Sequence, residues 1–254
     1  MVKLPRLAII AAFDRELHSL IQHWAPTTIR YESREFTFYE SNYAVAVCGG
    51  IGPEAARGAT QAAIVTYAPE LLISAGVAGA LTPELGVGET IFPAVVIDAQ
   101  DGSRHQTAIP TARLGHSPLA RTVLISSPEI ASAAQKQQFA KYYGAHAVDM
   151  EAAAVARAAQ VHNLPFLAIK SISDELNFEL PAMSRFIRNG RIRTKAFSFH
   201  VGLRPWLWAR VFRLARNTKL ASENLCAWLR ESVLINTIVP GATGSAGVNP
   251  AASE

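Results

Sequence analysis

Three carboxylates stand where a short apolar run gives way to the next element. Glu16 lies four residues past Ala12. Glu151 sits in Ala147-Val148-Asp149-Met150-Glu151-Ala152, and Asp174 in Ser171-Ile172-Ser173-Asp174. Ligands of open α/β sheets bind at the carboxyl ends of strands, so acids in these places are set to meet a bound small molecule. Singly, each fits a helix cap, a surface acid or an ion-pair partner as well as a catalytic group. Three of them after three core strands point to a shared site without naming its reaction.

Two glycine-rich segments accompany them. Gly49-Gly50-Ile51-Gly52-Pro53 joins a strand to a helix, and Ala75-Gly76-Val77-Ala78-Gly79 follows another strand. Glycine there permits positive φ and close approach of backbone to ligand. The first segment has neither G-x-G-x-x-G nor G-K-[ST], so a tight strand-to-helix turn explains it equally well. The seven histidines show no HExxH or paired spacing, and Cys48 and Cys226 form no CxxC, so no metal site is expected. No serine lies in a G-x-S-x-G elbow.

The elements that must position these residues alternate. Leu7–Ala12, Tyr43–Cys48, Leu71–Ser74, Thr90–Ile97, Thr122–Ser126 and Phe166–Ser171 are near-continuous apolar runs, the pattern of strands buried on both faces. Pro53–Tyr67 reads as a helix, with Pro53 in its first turn and Glu54 near its positive end. Gln135–Tyr143 and Glu151–His162 read as helices too. This alternation predicts a three-layer α/β/α sandwich around a central mixed sheet. With 254 residues, half of them hydrophobic, the chain can bury one large core. We expect one domain over residues 1–234, including a basic helix over 205–232, and a disordered Gly/Pro/Ala/Ser-rich tail over 235–254.

The net charge of +4 is unevenly spread. Ten Lys and Arg and no acid lie between Arg185 and Lys219, whereas the rest carries 14 basic against 20 acidic residues. Within the basic stretch, Arg210, Arg213, Arg216 and Lys219 gather on one broad helical face beside Trp206 and Trp208. Such a helix either packs its apolar stripe on the core or lies weakly on an anionic membrane surface; nucleic acid is not the expected partner. Leu7–Phe13 is too short to span a membrane and, with Asp14 and Glu16 close behind, makes a poor signal segment. A cytoplasmic protein is expected.

Five segments together carry a resemblance: Leu7–Leu17 (LAIIAAFDREL), Cys48–Ala56 (CGGIGPEAA), Ser74–Glu89 (SAGVAGALTPELGVGE), Val148–Ala156 (VDMEAAAVA) and Ile169–Glu175 (IKSISDE). In this order and spacing the chain, from about Leu7 to about Leu180, resembles the purine nucleoside phosphorylase/uridine phosphorylase superfamily. Its methylthioadenosine/S-adenosylhomocysteine nucleosidase branch is the most similar. The resemblance implies cleavage of the N-glycosidic bond of a purine nucleoside, adenine being the expected base, through an oxocarbenium-like sugar. It assigns Asp174, with Ser173 beside it, as general acid at the purine N7, a role that burial behind a strand end would support. Glu151 would bind the ribose hydroxyls and Met150 would pack under the sugar. Glu16 would position and activate water, and Gly76, Val77 and Ile130 would line the substrate site. No cofactor is implied, and a homo-oligomer is.

The chain departs from that branch in places. Ala75-Gly76-Val77-Ala78-Gly79 replaces Thr-Gly-Ser-Ala-Gly, so Val77 cannot give a serine's hydrogen bond. Leu124–Ile130 lacks the usual Asp-Ala-Phe, Asp149 stands where Glu is usual, and Lys170 replaces an arginine. Arg204-Pro205 and Leu214-Ala215-Arg216 resemble hopanoid-associated phosphorylases, whose implied substrate is a lipid-linked adenosyl compound and whose co-substrate is inorganic phosphate. Hydrolysis is favoured, because an acid at Glu16 would repel phosphate and suit water. Phosphorolysis is the alternative, and a catalytically silent nucleoside-binding protein the second.

Overall fold

The computed structural model describes residues 7–108, 122–178, 184–188 and 190–234. The expected tail over 235–254 lies outside the described residues.

Strand β1 (Leu7–Ala11) shows how the layers arise. Every residue of it is buried, yet Ala8 and Ile10 join one apolar cluster while Leu7, Ile9 and Ala11 join another. Side chains alternate across a strand, so a continuous apolar run must be covered on both faces. One face is covered by α2 (Pro53–Tyr67) and α4 (Ala152–Val161), through Ala56, Ala59, Ala63, Ala152 and Val155. The other is covered by α1 (Asp14–Ile21) and the C-terminal part of α6 (Pro205–Leu234), through Leu17, Leu20, Ile21, Leu225, Cys226 and Leu229. A third, smaller cluster around Ile97, Ile125 and Val148 packs against Phe139, Ala140 and Tyr143 of α3 (Ala133–Tyr143). The expected α/β/α sandwich is what forms.

The sheet is mixed. Strands β2 (Ala25–Tyr31) and β3 (Arg34–Glu40) form an antiparallel hairpin that leads into β4 (Ala44–Cys48). β4 pairs with β1, and β1 pairs in parallel with β5 (Leu71–Ala80). Beyond β5 come β10 (Ala147–Asp149), β9 (Val123–Ser126), β7 (Val95–Asp98) and β8 (Arg104–Gln106). β11 (Phe166–Asp174) runs parallel to β5, with β6 (Thr90–Ile91) on its other side. Three strands thus pair with β5, which is the hinge of the sheet: β1 along its first half, β10 near its end and β11 along most of its length. A short hairpin of β12 (Ile187–Arg188) and β13 (Arg191–Ile192) precedes α5 (Thr194–Gly202).

Several expectations are corrected. The strand expected over Leu71–Ser74 continues to Ala80, so Ala75-Gly76-Val77-Ala78-Gly79 is strand and not a loop after one. Thr90–Ile97 is two strands, β6 and β7, separated at Phe92-Pro93-Ala94; proline lacks the N–H that a ladder needs. β11 runs three residues past Ser171, which makes Asp174 the end of a strand. The helix Pro53–Tyr67 stands as expected, and Glu151 is the cap of α4 and not its first residue.

Candidate active site

The ends of β1, β5, β10 and β11 open on one cleft. Glu16, Val77, Ile130, Met150, Glu151, Ser173 and Asp174 all border it, so most of the predicted site residues meet in one place, with Gly79 beside them. Gly76 lies just beneath.

Glu16 belongs to the first turn of α1 and is buried, 4% exposed. Its Oε2 accepts hydrogen bonds from the backbone N–H groups of Ala12 and Phe13, each at 3.1 Å. Burial pushes its carboxyl above the usual range, against the pull of those N–H groups and of the Lys170 ammonium. A carboxylate made more basic in this way is suited to take a proton from water. Gly76, at φ +153°, lies against both groups: a Cβ there would be in van der Waals contact with Glu16 Oε2 at 3.5 Å and Lys170 Nζ at 3.6 Å.

Glu151 and Asp149 flank Met150 but face different tasks. Glu151 Oε1 accepts from the Gly52 N–H at 2.9 Å, and Oε2 accepts from the Met150 N–H at 3.3 Å. Burial and the neighbouring Asp149 charge push Glu151 up to about 7. Gly52 has φ +91°, so the glycine turn is shaped to deliver that N–H. Asp149 is fully engaged. It pairs with Lys170 at 2.8 Å, accepts the Ala152 N–H at 2.9 Å, and takes a short hydrogen bond from the Ser126 hydroxyl. Burial pulls Lys170 down, but Asp149, Glu151 and Glu16 together outweigh it and leave the ammonium favoured. The Asp149 and Lys170 departures are therefore one feature, a buried ion pair beneath the cleft floor.

Asp174 is aimed by a β-bulge. Ile172 pairs with Ala78 and Asp174 with Gly79, so Ser173 is an extra residue on β11. Bulges re-aim side chains next to active sites. The Ser173 hydroxyl lies 2.8 Å from Asp174 Oδ1 and 3.3 Å from the Ala78 carbonyl. Asp174 Oδ2 is 2.6 Å from Nζ of Lys136, whose side chain is 1% exposed. Among the described residues no group of three His, Cys, Asp or Glu side chains is placed to hold a metal ion.

The family model described as the phosphorylase superfamily matches residues 6–136 and 112–197. This chain belongs to the phosphorylase superfamily. Within the superfamily, it is 27% identical over 197 residues to the 5′-methylthioadenosine/S-adenosylhomocysteine nucleosidase of Bacillus licheniformis, covering 66% of this chain and 85% of that one. The Staphylococcus aureus enzyme of the same name is 30% identical over 156 residues, 51% of this chain and 68% of its own. In fold it is similar to the Helicobacter pylori nucleosidase of that name in complex with a substituted pyrrolidin-3-ol (TM-score 0.67, 15% identity, 92% and 99% of the chains covered). The futalosine hydrolase of the same organism is similar to a like degree (TM-score 0.67, 16% identity, 92% and 98%).

Sequence reasoning missed four residues in or against this cleft. Gly79 lies under Asp174, Gly52 donates to Glu151, Lys170 anchors the floor, and Lys136 pairs with Asp174. A signal existed for the first two, since both lie in the glycine segments already singled out. Nothing local marks Lys136, which sits on a helix 38 residues from its partner.

Proposed function

We propose that the protein hydrolyses the N-glycosidic bond of an adenine nucleoside. The observation that carries this reading is the buried Glu16 carboxylate, made more basic by its burial and set in the same cleft as Glu151 and Asp174. As the bond from the sugar to the base breaks, positive charge grows on the sugar. Glu151 stabilises that charge while binding the ribose hydroxyls, with Met150 under the ring. Glu16 takes a proton from the attacking water, the logic of paired carboxylates in sugar chemistry. Asp174 and Ser173 face the base and assist its departure. A phosphate dianion beside Glu16 would meet like charge, which supports water as the nucleophile.

The relatives named above are nucleosidases of 5′-methylthioadenosine and S-adenosylhomocysteine, so a 5′-thio-substituted adenosine is the first substrate to try. The test is mass spectrometry of the sugar product with and without phosphate. The free sugar, still carrying its 5′-thio substituent, supports the reading; its 1-phosphate establishes phosphorolysis instead, and no cleavage of any adenine nucleoside leaves a binding protein.

We propose three further properties beside it. The protein acts in the cytoplasm and as a homo-oligomer, which sedimentation would test. The α5–α6 region touches anionic membrane weakly: Phe199, Leu203, Trp206, Trp208 and Phe212 are exposed there, among the basic residues Arg213, Arg216 and Lys219. Each basic residue near such a surface contributes about 1 kcal/mol. Co-sedimentation with anionic vesicles at low but not at high salt is the expected result, and its absence at low salt removes the proposal.

A further inference from the structure

Lys136 is out of place by every local rule. It lies in the first turn of α3, the end where a positive charge is disfavoured, and lysine is almost never fully buried. Its side chain is nevertheless 1% exposed and borders the cleft. Two of its three donors have partners, Asp174 Oδ2 at 2.6 Å and the Glu175 carbonyl at 3.1 Å. The Asp174 side chain is 6% exposed, so the pair is shielded from water on both sides.

A buried ion pair is costly to assemble and seldom a net gain in stability over apolar packing. Its placement on the one carboxylate that faces the leaving base suggests a chemical use. In such a pair the proton sits on nitrogen, and a carboxylate by itself has none to give to a departing purine.

We propose that Lys136 is a positioning residue of the leaving-group site, which fixes Asp174 through Oδ2 and supplies the proton that Asp174 hands to the base. This rests on the nucleosidase reading. As the C1′–N9 bond breaks, its electron pair leaves with the purine. The proton moves from Lys136 Nζ to Asp174 Oδ2 and from Asp174 to purine N7, leaving the base neutral, Asp174 a carboxylate and Lys136 an amine. Solvent restores the ammonium once the base has left. Ser173, on the other carboxylate oxygen, keeps the plane of the group fixed during the transfer.

The experiment compares wild type, Lys136→Met and Lys136→Arg on an adenine nucleoside and on a 4-nitrophenyl riboside, whose leaving group departs without a proton. Arginine keeps the charge and the hydrogen bonds but does not give up its proton in a protein. We expect both variants to lose about 100-fold or more in kcat on the nucleoside, with KM little changed, and to stay within a few-fold of wild type on the riboside. Near wild-type nucleoside turnover by Lys136→Arg, or an equal loss on both substrates by a folded variant, overturns the proposal. If Lys136→Met does not fold, Lys136→Ala assayed with added methylamine decides: restored nucleoside cleavage supports the relay, and no restoration overturns it. A wild type that cleaves no nucleoside defeats the parent reading and this one with it, whereas an active wild type with indifferent variants defeats this one alone.

Discussion

Asp174 lies directly over Gly79, its partner across the β5–β11 pairing. A Cβ on Gly79 would stand 2.8 Å from Oδ2 of that carboxylate and 3.3 Å from Oδ1. The three nearest atoms to it all belong to the Asp174 carboxyl group, which the proposed reaction sets against the leaving base. Gly79→Ala should therefore displace Asp174 while sparing the fold, and a misplacement of about 1 Å can cost ~100-fold in rate. Steady-state kinetics beside a thermal melt checks this: unchanged kcat with an unchanged melt would show that the contact does not matter. Asp174→Asn, which removes the group itself, should cost about two to four orders of magnitude on nucleosides.

Glu16→Gln separates the two nucleophiles. With the general base gone, hydrolysis should fall by about 100-fold or more, while binding of a substrate analogue survives. If phosphate were the nucleophile, the neutral side chain would remove a repelling charge, and phosphorolysis would persist or improve. Product analysis of this variant in phosphate and in phosphate-free buffer reads out both.

The raised Glu151 gives opposite pH trends for stability and activity. An unfolded glutamate titrates near 4.5, whereas the folded one titrates near 7. Between those values the folded state holds a proton that the unfolded chain has lost, so this contribution to stability is full at low pH and fades as pH rises towards 7. Glu16, raised by burial, acts in the same direction. The melting temperature of wild type should fall from pH 5 to pH 8, and Glu151→Gln should flatten part of that fall. Activity should move the other way, because the ribose site needs the charged form: kcat/KM should climb through about pH 7. A flat profile there would free Glu151 from the charge-stabilising role.

Lys170→Met tests the buried pair beneath the floor. It would leave Asp149 buried without its counter-charge, at a cost of about 3–5 kcal/mol. Denaturant unfolding measures the loss. Adding Asp149→Asn should recover part of it, and a single variant as stable as wild type would show that the pair is dispensable.

The three layers were legible because their signal is local. Continuous apolar runs such as Leu7–Ala11 must be covered on both faces, and Pro53–Tyr67 carries its own start signal in Pro53. The Ala75–Gly79 segment misled for a physical reason. Glycine usually ends a strand, but β5 continues through both Gly76 and Gly79, and at Gly79 the Asp174 carboxyl group of β11 lies too close for a side chain. The β2–β3 hairpin was passed over although Phe36 and Phe38 alternate with more exposed Glu35 and Thr37, the pattern of a strand with one covered face. The carboxylates Glu16, Glu151 and Asp174 were found from their place after core strands. Lys136 was not, since its meaning exists only once α3 lies against the end of β11.

The central position of β5 has a consequence for how the chain is made. Its parallel neighbours, β1 and β11, begin at Leu7 and Phe166, so β5 is flanked by segments far apart in the sequence. No hairpin turn can set either register, and pairing of such distant segments is intrinsically slow. A nascent chain that has released β5 but not β11 exposes an unpaired apolar edge, open to association with other chains. The cleft is therefore assembled late in synthesis, when Phe166–Asp174 slots in beside Leu71–Ala80 and brings Asp174 into it.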